Sequence, residues 1–82
     1  MINMGKKSNL APAEVVQKAV AFFGPGGTGM RVVEQDQCCA RFEGAGGHVF
    51  VWAADAQDQK GSEVTVEGRE WNYQIKQFME EI

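Results

Sequence analysis

Apolar side chains recur at helical spacing near the start of the chain. Between residues 11 and 23 they share one helical face, which holds Val15, Val16, Ala19, Val20 and Phe23. Pro12 suits the first helical turn, and Gly24-Pro25 is a sequence that ends helices. The pattern predicts an amphipathic helix from about Ala11 to Phe23.

The last twelve residues show the clearest helical period in the sequence. Their apolar stripe consists of Trp71, Ile75, Phe78, Met79 and Ile82, and charged or amide side chains fill the opposite side. A stripe of this kind must be buried against another element. We therefore expect a second helix that packs on a sheet.

Four short runs between the helices have the composition of strands. They are Met30 to Glu34, Cys38 to Glu43, His48 to Ala53 and Glu63 to Glu67. The gaps between them are too short for parallel crossover connections, which need a dozen residues or more. The runs therefore predict an antiparallel meander.

The central hairpin has a register that the sequence itself suggests. If Gly44 to Gly47 close the turn, the opposed pairs are Phe42 with Val49, Ala40 with Val51, Arg41 with Phe50 and Cys39 with Trp52. The run from His48 to Ala53 is then apolar on both sides. One side can enter a core under the helices, and the other side carries Phe50 and Trp52.

The facing of the first run depends on the length of the next turn. A three-residue turn at Gln35-Asp36-Gln37 places Met30 and Val32 on the core side, whereas a two-residue turn places Arg31 there. Burying an unpaired guanidinium is unfavourable. We therefore expect Met30 and Val32 to face the core.

These elements predict an α+β fold with the order helix, four-stranded antiparallel meander sheet, helix. Both helices are expected on one face of the sheet, as a two-layer sandwich. Residues 1–10 are polar and without a period, and we expect them to form a flexible leader. Residues 11–82 are expected to form a single α-β-β-β-β-α domain.

The charge balance disfavours one class of partner. The 82 residues carry 8 basic and 11 acidic side chains, for a net charge of −3. An acidic domain repels phosphate backbones, so we do not expect nucleic-acid binding. No apolar run approaches the roughly 20 residues that span a bilayer, and the N-terminal residues do not resemble a secretion signal. We expect a cytoplasmic protein without a membrane contact.

Few residues offer catalytic or metal-binding chemistry. Cys38 and Cys39 are neighbours with alternate strand facing, so they are expected to be reduced thiols with Cys38 in the core. His48 lies four residues from the partner of Cys39, too far for a thiol-imidazole pair. The segment Gly24 to Gly29 follows a helix, whereas a phosphate-binding loop precedes its helix. The sequence predicts no metal, no cofactor and, on balance, no enzyme.

One group of side chains does suggest a binding surface. The face of the sheet away from the helices is predicted to carry Val33, Cys39, Arg41, Phe50 and Trp52. Aromatic residues and arginine are the usual anchors of protein interfaces. The sequence therefore predicts a module for protein interaction or homodimerisation. Two alternatives remain open: Arg41 simply covers the rings, or the face binds a small apolar ligand or a nucleotide.

Overall fold

In a computed structural model, which describes residues 2–56 and 60–82, two helices lie on a five-stranded antiparallel sheet. The fold is α+β, as predicted, but the sheet has one more strand than expected. Residues 57–59, in the polar stretch that we expect between the last two strand runs, lie outside the described residues. The elements are β1 (Ile2–Ser8), α1 (Pro12–Phe23), β2 (Arg31–Gln35), β3 (Cys39–Gly44), β4 (Gly47–Asp55), β5 (Ser62–Arg69) and α2 (Asn72–Glu81).

The strands follow the order β1-β5-β4-β3-β2 across the sheet, so β2 to β5 form the predicted meander. The predicted hairpin register is confirmed, with Arg41 opposite Phe50 and Cys39 opposite Trp52. Ala45 and Gly46 close the turn with positive φ angles of 48° and 78°. Positive φ at both central residues is what a type I′ turn requires, and this turn matches the twist of the strands.

The prediction of a flexible leader is wrong for residues 2–8. Strand β1 pairs antiparallel with β5 along its whole length, from Ile2 opposite Gly68 to Ser8 opposite Ser62. Ile2 and Met4 pack against the core. The alternation of apolar and polar residues is weak here, because Lys6 occupies the core-side position after Met4. The hydrophobic pattern therefore does not reveal the strand.

Two polar residues, Lys6 and Ser8, occupy the core side of β1 because both bind the end of α2. Lys6 Nζ donates a hydrogen bond to the main-chain oxygen of Met79 at 2.7 Å, and Ser8 Oγ donates to that of Ile82 at 2.9 Å. The last carbonyl groups of a helix have no partner within the helix, and a cation is favourable beside them. Strand β1 therefore closes the C-terminal end of α2.

Strand β2 has the predicted facing and an added irregularity. The predicted three-residue turn is wrong, because Gln35 belongs to β2 and pairs with Ala40. Met30 is buried, and Val32 lies opposite Phe42 and packs against the core, so the predicted facing is nevertheless correct. The pairing then shifts, so that Arg41 faces Glu34 after the unpaired Val33. This extra residue is a β-bulge, which bends an edge strand and discourages further pairing there.

Both helices pack on the same face of the sheet. The buried residues of α1 and α2 join those of β3, β4 and β5 in one cluster. At its centre the ring of Phe23 lies 5.4 Å from that of Phe42 and 5.3 Å from that of Phe78, measured between centroids. Among the described helices, neither is long and apolar enough to cross a membrane.

Trp71 does not lie on the buried stripe of α2, contrary to the helical pattern. It precedes the helix as its N-cap residue and is only partly buried. Its indole Nε1 donates a hydrogen bond to the carbonyl oxygen of Gly44 at 3.0 Å. The side chain therefore ties the start of α2 to the β3–β4 turn.

A glycine allows α2 to approach β5 closely. Gly68 lies opposite Val49, and a Cβ atom there would meet the side chain of Ile75 and lie 2.9 Å from the carbonyl oxygen of His48. Gly5 in β1 has no such neighbour, since the nearest atom would be 3.8 Å away. The contact between helix and sheet thus depends on the missing side chain at residue 68.

We predict that Gly68→Ala lowers the free energy of unfolding by about 1 to 3 kcal/mol, because the added methyl group overpacks a close contact. Gly5→Ala, the matched control in a neighbouring strand, should change it by less than about 1 kcal/mol. Urea unfolding measures both. Equal effects of the two substitutions would contradict the close approach of α2.

We predict that Phe78→Ala destabilises the fold by about 3 to 5 kcal/mol, since its ring is fully buried between the helices and the sheet. Tyr73→Ala on the same helix is the control. Tyr73 is 68% exposed, so its loss should change stability by no more than about 0.5 kcal/mol. Thermal or urea unfolding distinguishes the two, and a small effect of Phe78→Ala would rule out the described core.

Candidate binding surface on the outer face of the sheet

The sheet has a second face, which points away from the helices and is here called the outer face. The strand register places its side chains in transverse rows. The aromatic row runs from Asn3 through Glu67, Phe50 and Arg41 to Glu34. On one side of it lies the row Arg69, His48, Glu43, Arg31, and on the other the row Gly5, Thr65, Trp52, Cys39. Within the described residues, neither helix covers this face.

Two aromatic rings form the centre of the outer face. Phe50 and Trp52 lie on the central strand β4, with ring centroids 4.8 Å apart and planes tilted by 41°. The guanidinium carbon of Arg41 stands 4.7 Å from the centroid of Phe50, within the range of a cation-π contact. Both rings remain partly exposed despite these contacts. Arg41 therefore covers the rings only in part.

The structure places all five predicted patch residues on this side of the sheet. Arg41, Phe50 and Trp52 are in direct register, and Cys39 lies opposite Trp52. Val33 occupies the β-bulge at the edge strand and is 45% exposed. The patch thus has an aromatic centre with an apolar residue at one margin, and its role in binding stays a prediction.

Charged side chains surround the rings in a regular pattern. On the β3 side of β4 stand Arg41 and Glu43, which pair with the β2 side chains Glu34 at 3.9 Å and Arg31 at 2.8 Å. On the β5 side stand Glu67 and Arg69, which have no ion-pair partner among the described residues. The two sides of β4 therefore carry opposite charges in each of these two rows.

Strand β1 widens the outer face in a way that the sequence pattern did not reveal. Asn3, Gly5 and Lys7 lie opposite Glu67, Thr65 and Glu63, respectively. Gly5 has no side chain, so the surface is recessed beside Thr65. The signal that could have identified this strand is the short alternation of the apolar Ile2 and Met4 with Asn3 and Gly5.

Two shallow depressions interrupt the outer face near the β3–β4 turn. One, of about 330 Å³, is lined by Arg41, Glu43, His48, Phe50 and Glu67. The other, of about 480 Å³, lies along the turn and has Arg31, Glu43, His48 and Arg69 among its lining residues. Acidic and basic side chains alternate around both, so neither is a purely apolar pocket.

The two cysteines differ from the prediction of reduced thiols. The structure joins Cys38 and Cys39 in a disulfide, and Cys38 is exposed rather than in the core. Strand alternation does not apply because β3 begins only at Cys39, and Cys38 belongs to the preceding bend. A disulfide-bonded Cys39 offers no thiolate, so it cannot act as a nucleophile in this state.

No protein-family model, no curated protein and no solved structure matches this chain. Within the described residues, no group of three or more His, Cys, Asp or Glu side chains is arranged to hold a metal ion. The outer face carries two partly exposed rings, a guanidinium group and charged side chains. It is the feature that best indicates a function.

We predict that the disulfide can be shown by alkylation. Iodoacetamide should leave the native and the denatured chain unmodified, and should label both cysteines after reduction. Reduction should change the free energy of unfolding by about 1 kcal/mol or less, because the bond closes almost no loop. The fluorescence of Trp52 should change, since Cys39 lies directly opposite. Labelling of the denatured chain without a reductant would contradict the bond.

Proposed function

We propose that the chain is a non-catalytic protein-interaction module whose binding surface is the outer face of the sheet. The observation that carries the proposal is the two-sided strand β4. Val49, Val51 and Ala53 enter the core, while Phe50 and Trp52 form a partly exposed aromatic pair on the other side. These outer rings add nothing to the core of the domain, so we expect them to be buried against a partner.

The composition of the outer face supports a protein partner. Trp and Arg are the most frequent energetic anchors of interfaces, and such anchors lie near the centre of the patch with a polar rim around them. Here Trp52, Phe50 and Arg41 are central, and Glu34, Glu43, Glu63, Glu67 and Arg69 form the rim. The surface also lies on a rigid sheet, so little ordering is needed on binding.

The position of the remaining reactive groups favours binding over catalysis. Cys39 is held in the disulfide, and His48 pairs across the strands with Glu43. A nucleophile and its base must be within hydrogen-bonding distance, whereas the row of Phe50 and Arg41 lies between His48 and Cys39. A role in molecular recognition requires none of this chemistry.

Binding of a small apolar ligand or a nucleotide on the sheet face is the alternative. The depression of about 330 Å³ beside Phe50 gives it some support. However, Glu43 and Glu67 form two of its walls, and carboxylates repel phosphate groups. The charged lining also disfavours an apolar ligand, so this function is the weaker candidate.

The proposal predicts site-specific cross-linking in the cells that make the protein. Trp52→p-benzoylphenylalanine keeps a large aromatic group at the centre of the outer face. On irradiation we expect one protein adduct of defined mass, which disappears when Arg41→Glu is added. Tyr73→p-benzoylphenylalanine, an exposed position on α2, is the matched control and should give no such adduct.

Two results would contradict this function. One is the absence of any protein adduct from position 52, and the other is an equal pattern of adducts from positions 52 and 73. Adducts that persist unchanged with Arg41→Glu would also exclude the outer face as the specific surface.

A further inference from the structure

We infer that the partner of the outer face is a second copy of the chain, packed face to face with its strands aligned to those of the first. This inference rests on the proposed function and names its partner. It comes from the arrangement of charges and rings about β4, because one two-fold rotation both pairs opposite charges and brings the aromatic rings together.

The charges on either side of β4 are opposite in two successive rows. In the aromatic row, Glu67 stands on the β5 side of Phe50 and Arg41 on the β3 side. In the next row the order is reversed, with Arg69 on the β5 side of His48 and Glu43 on the β3 side. Each member of a pair is two strands from the other, a distance of roughly 10 Å, so it is not a direct neighbour within its own chain.

A two-fold axis that runs above β4 and parallel to it exchanges the two sides while it keeps the rows in place. It sets Arg41 of each chain over Glu67 of the other, and Glu43 of each over Arg69 of the other. The result is four ion pairs around the aromatic centre, where Phe50 and Trp52 meet their own copies. Glu67 and Arg69, which have no ion-pair partner among the described residues, gain one in this way.

The charges and the rings together disfavour the other face-to-face arrangement. An axis perpendicular to the strands and centred on the aromatic row sets Arg41 over its own copy and Glu67 over its own copy, which is repulsive. Centred between Phe50 and Trp52, it sets Arg41 over Cys39 and Glu67 over Thr65, which leaves both charges unpaired. Centred between Phe50 and His48, it does pair Arg41 with Glu43 and Glu67 with Arg69, but it sets Trp52 over the β3–β4 turn of the other chain, so the aromatic pairs do not meet. Aligned packing of two sheets is also the common geometry of β-sandwiches.

The size of the face indicates the strength of the dimer. Five strands spaced about 4.8 Å apart and about six residues long cover roughly 400 Å² in projection. Two such faces lie below the buried area of a standard stable interface, about 1,600 Å² in total. We therefore expect a reversible dimer with a Kd of about 10 to 100 µM.

Charge exchange tests the arrangement by sedimentation equilibrium of the full chain. Arg41→Glu makes positions 41 and 67 both acidic, and Glu67→Arg makes both basic. Each single variant should dimerise about tenfold more weakly or worse, because like charges then face each other at both contacts. An equimolar mixture of the two should dimerise like the wild type, and so should the double variant Arg41→Glu/Glu67→Arg. Lys76→Glu, on the exposed side of α2, should have no effect.

The outcomes separate this inference from the proposed function. A wild-type chain that stays monomeric at 1 mM would overturn the second-copy partner, and a double variant that is as weak as the single ones would overturn the aligned arrangement. If the adduct from position 52 then has a mass other than twice that of the chain, the interaction function stands with a different partner. If position 52 gives no protein adduct at all, the second-copy partner and the interaction function are both contradicted.

Discussion

The fold depends on the fact that two short helices can cover only one face of a five-stranded sheet. Their apolar stripes meet Phe42, Val51 and Val66 on that face and complete the core. Strand β4 nevertheless presents apolar side chains on both sides, because Phe50 and Trp52 alternate with the core residues. The imbalance between a covered face and an aromatic but uncovered one is the property from which the proposed function follows.

The N-terminal strand links the stability of the fold to the shape of the surface. On the core side, Lys6 and Ser8 bind the last carbonyl groups of α2. On the other side, Asn3 and Gly5 extend the outer face beyond β5. The same seven residues therefore complete one helix and widen the candidate binding surface. The opposite edge strand, β2, carries a bulge and charged side chains, which discourage further pairing along that edge.

Alternation and the length of the glycine-rich turn were sufficient to predict the pairing of β3 with β4, but the register of β2 was not predictable in this way. The glycine-rich turn fixed which residues of β3 and β4 face each other, and the unfavourable burial of Arg31 fixed the facing of β2. The same reasoning failed where tertiary partners replace the hydrophobic pattern. Strand β1 has a lysine at a core-side position because a helix end needs a donor there, and Cys38 departs from strand alternation because it lies in a bend. The candidate patch was predictable as a set of residues, but the β5 charges without an ion-pair partner among the described residues became evident only from the complete register.

The central claim, that the outer face is uncovered in the single chain, is tested most directly by paramagnetic relaxation in dilute solution. A soluble, neutral gadolinium complex relaxes protons that it can approach. The account predicts strong relaxation of the ring protons of Phe50 and Trp52 and almost none of the methyl protons of Val51, which lies between them in sequence and is fully buried on the other face. Rings at positions 50 and 52 as well protected as Val51 would show that another part of the chain covers this face, and would contradict the account.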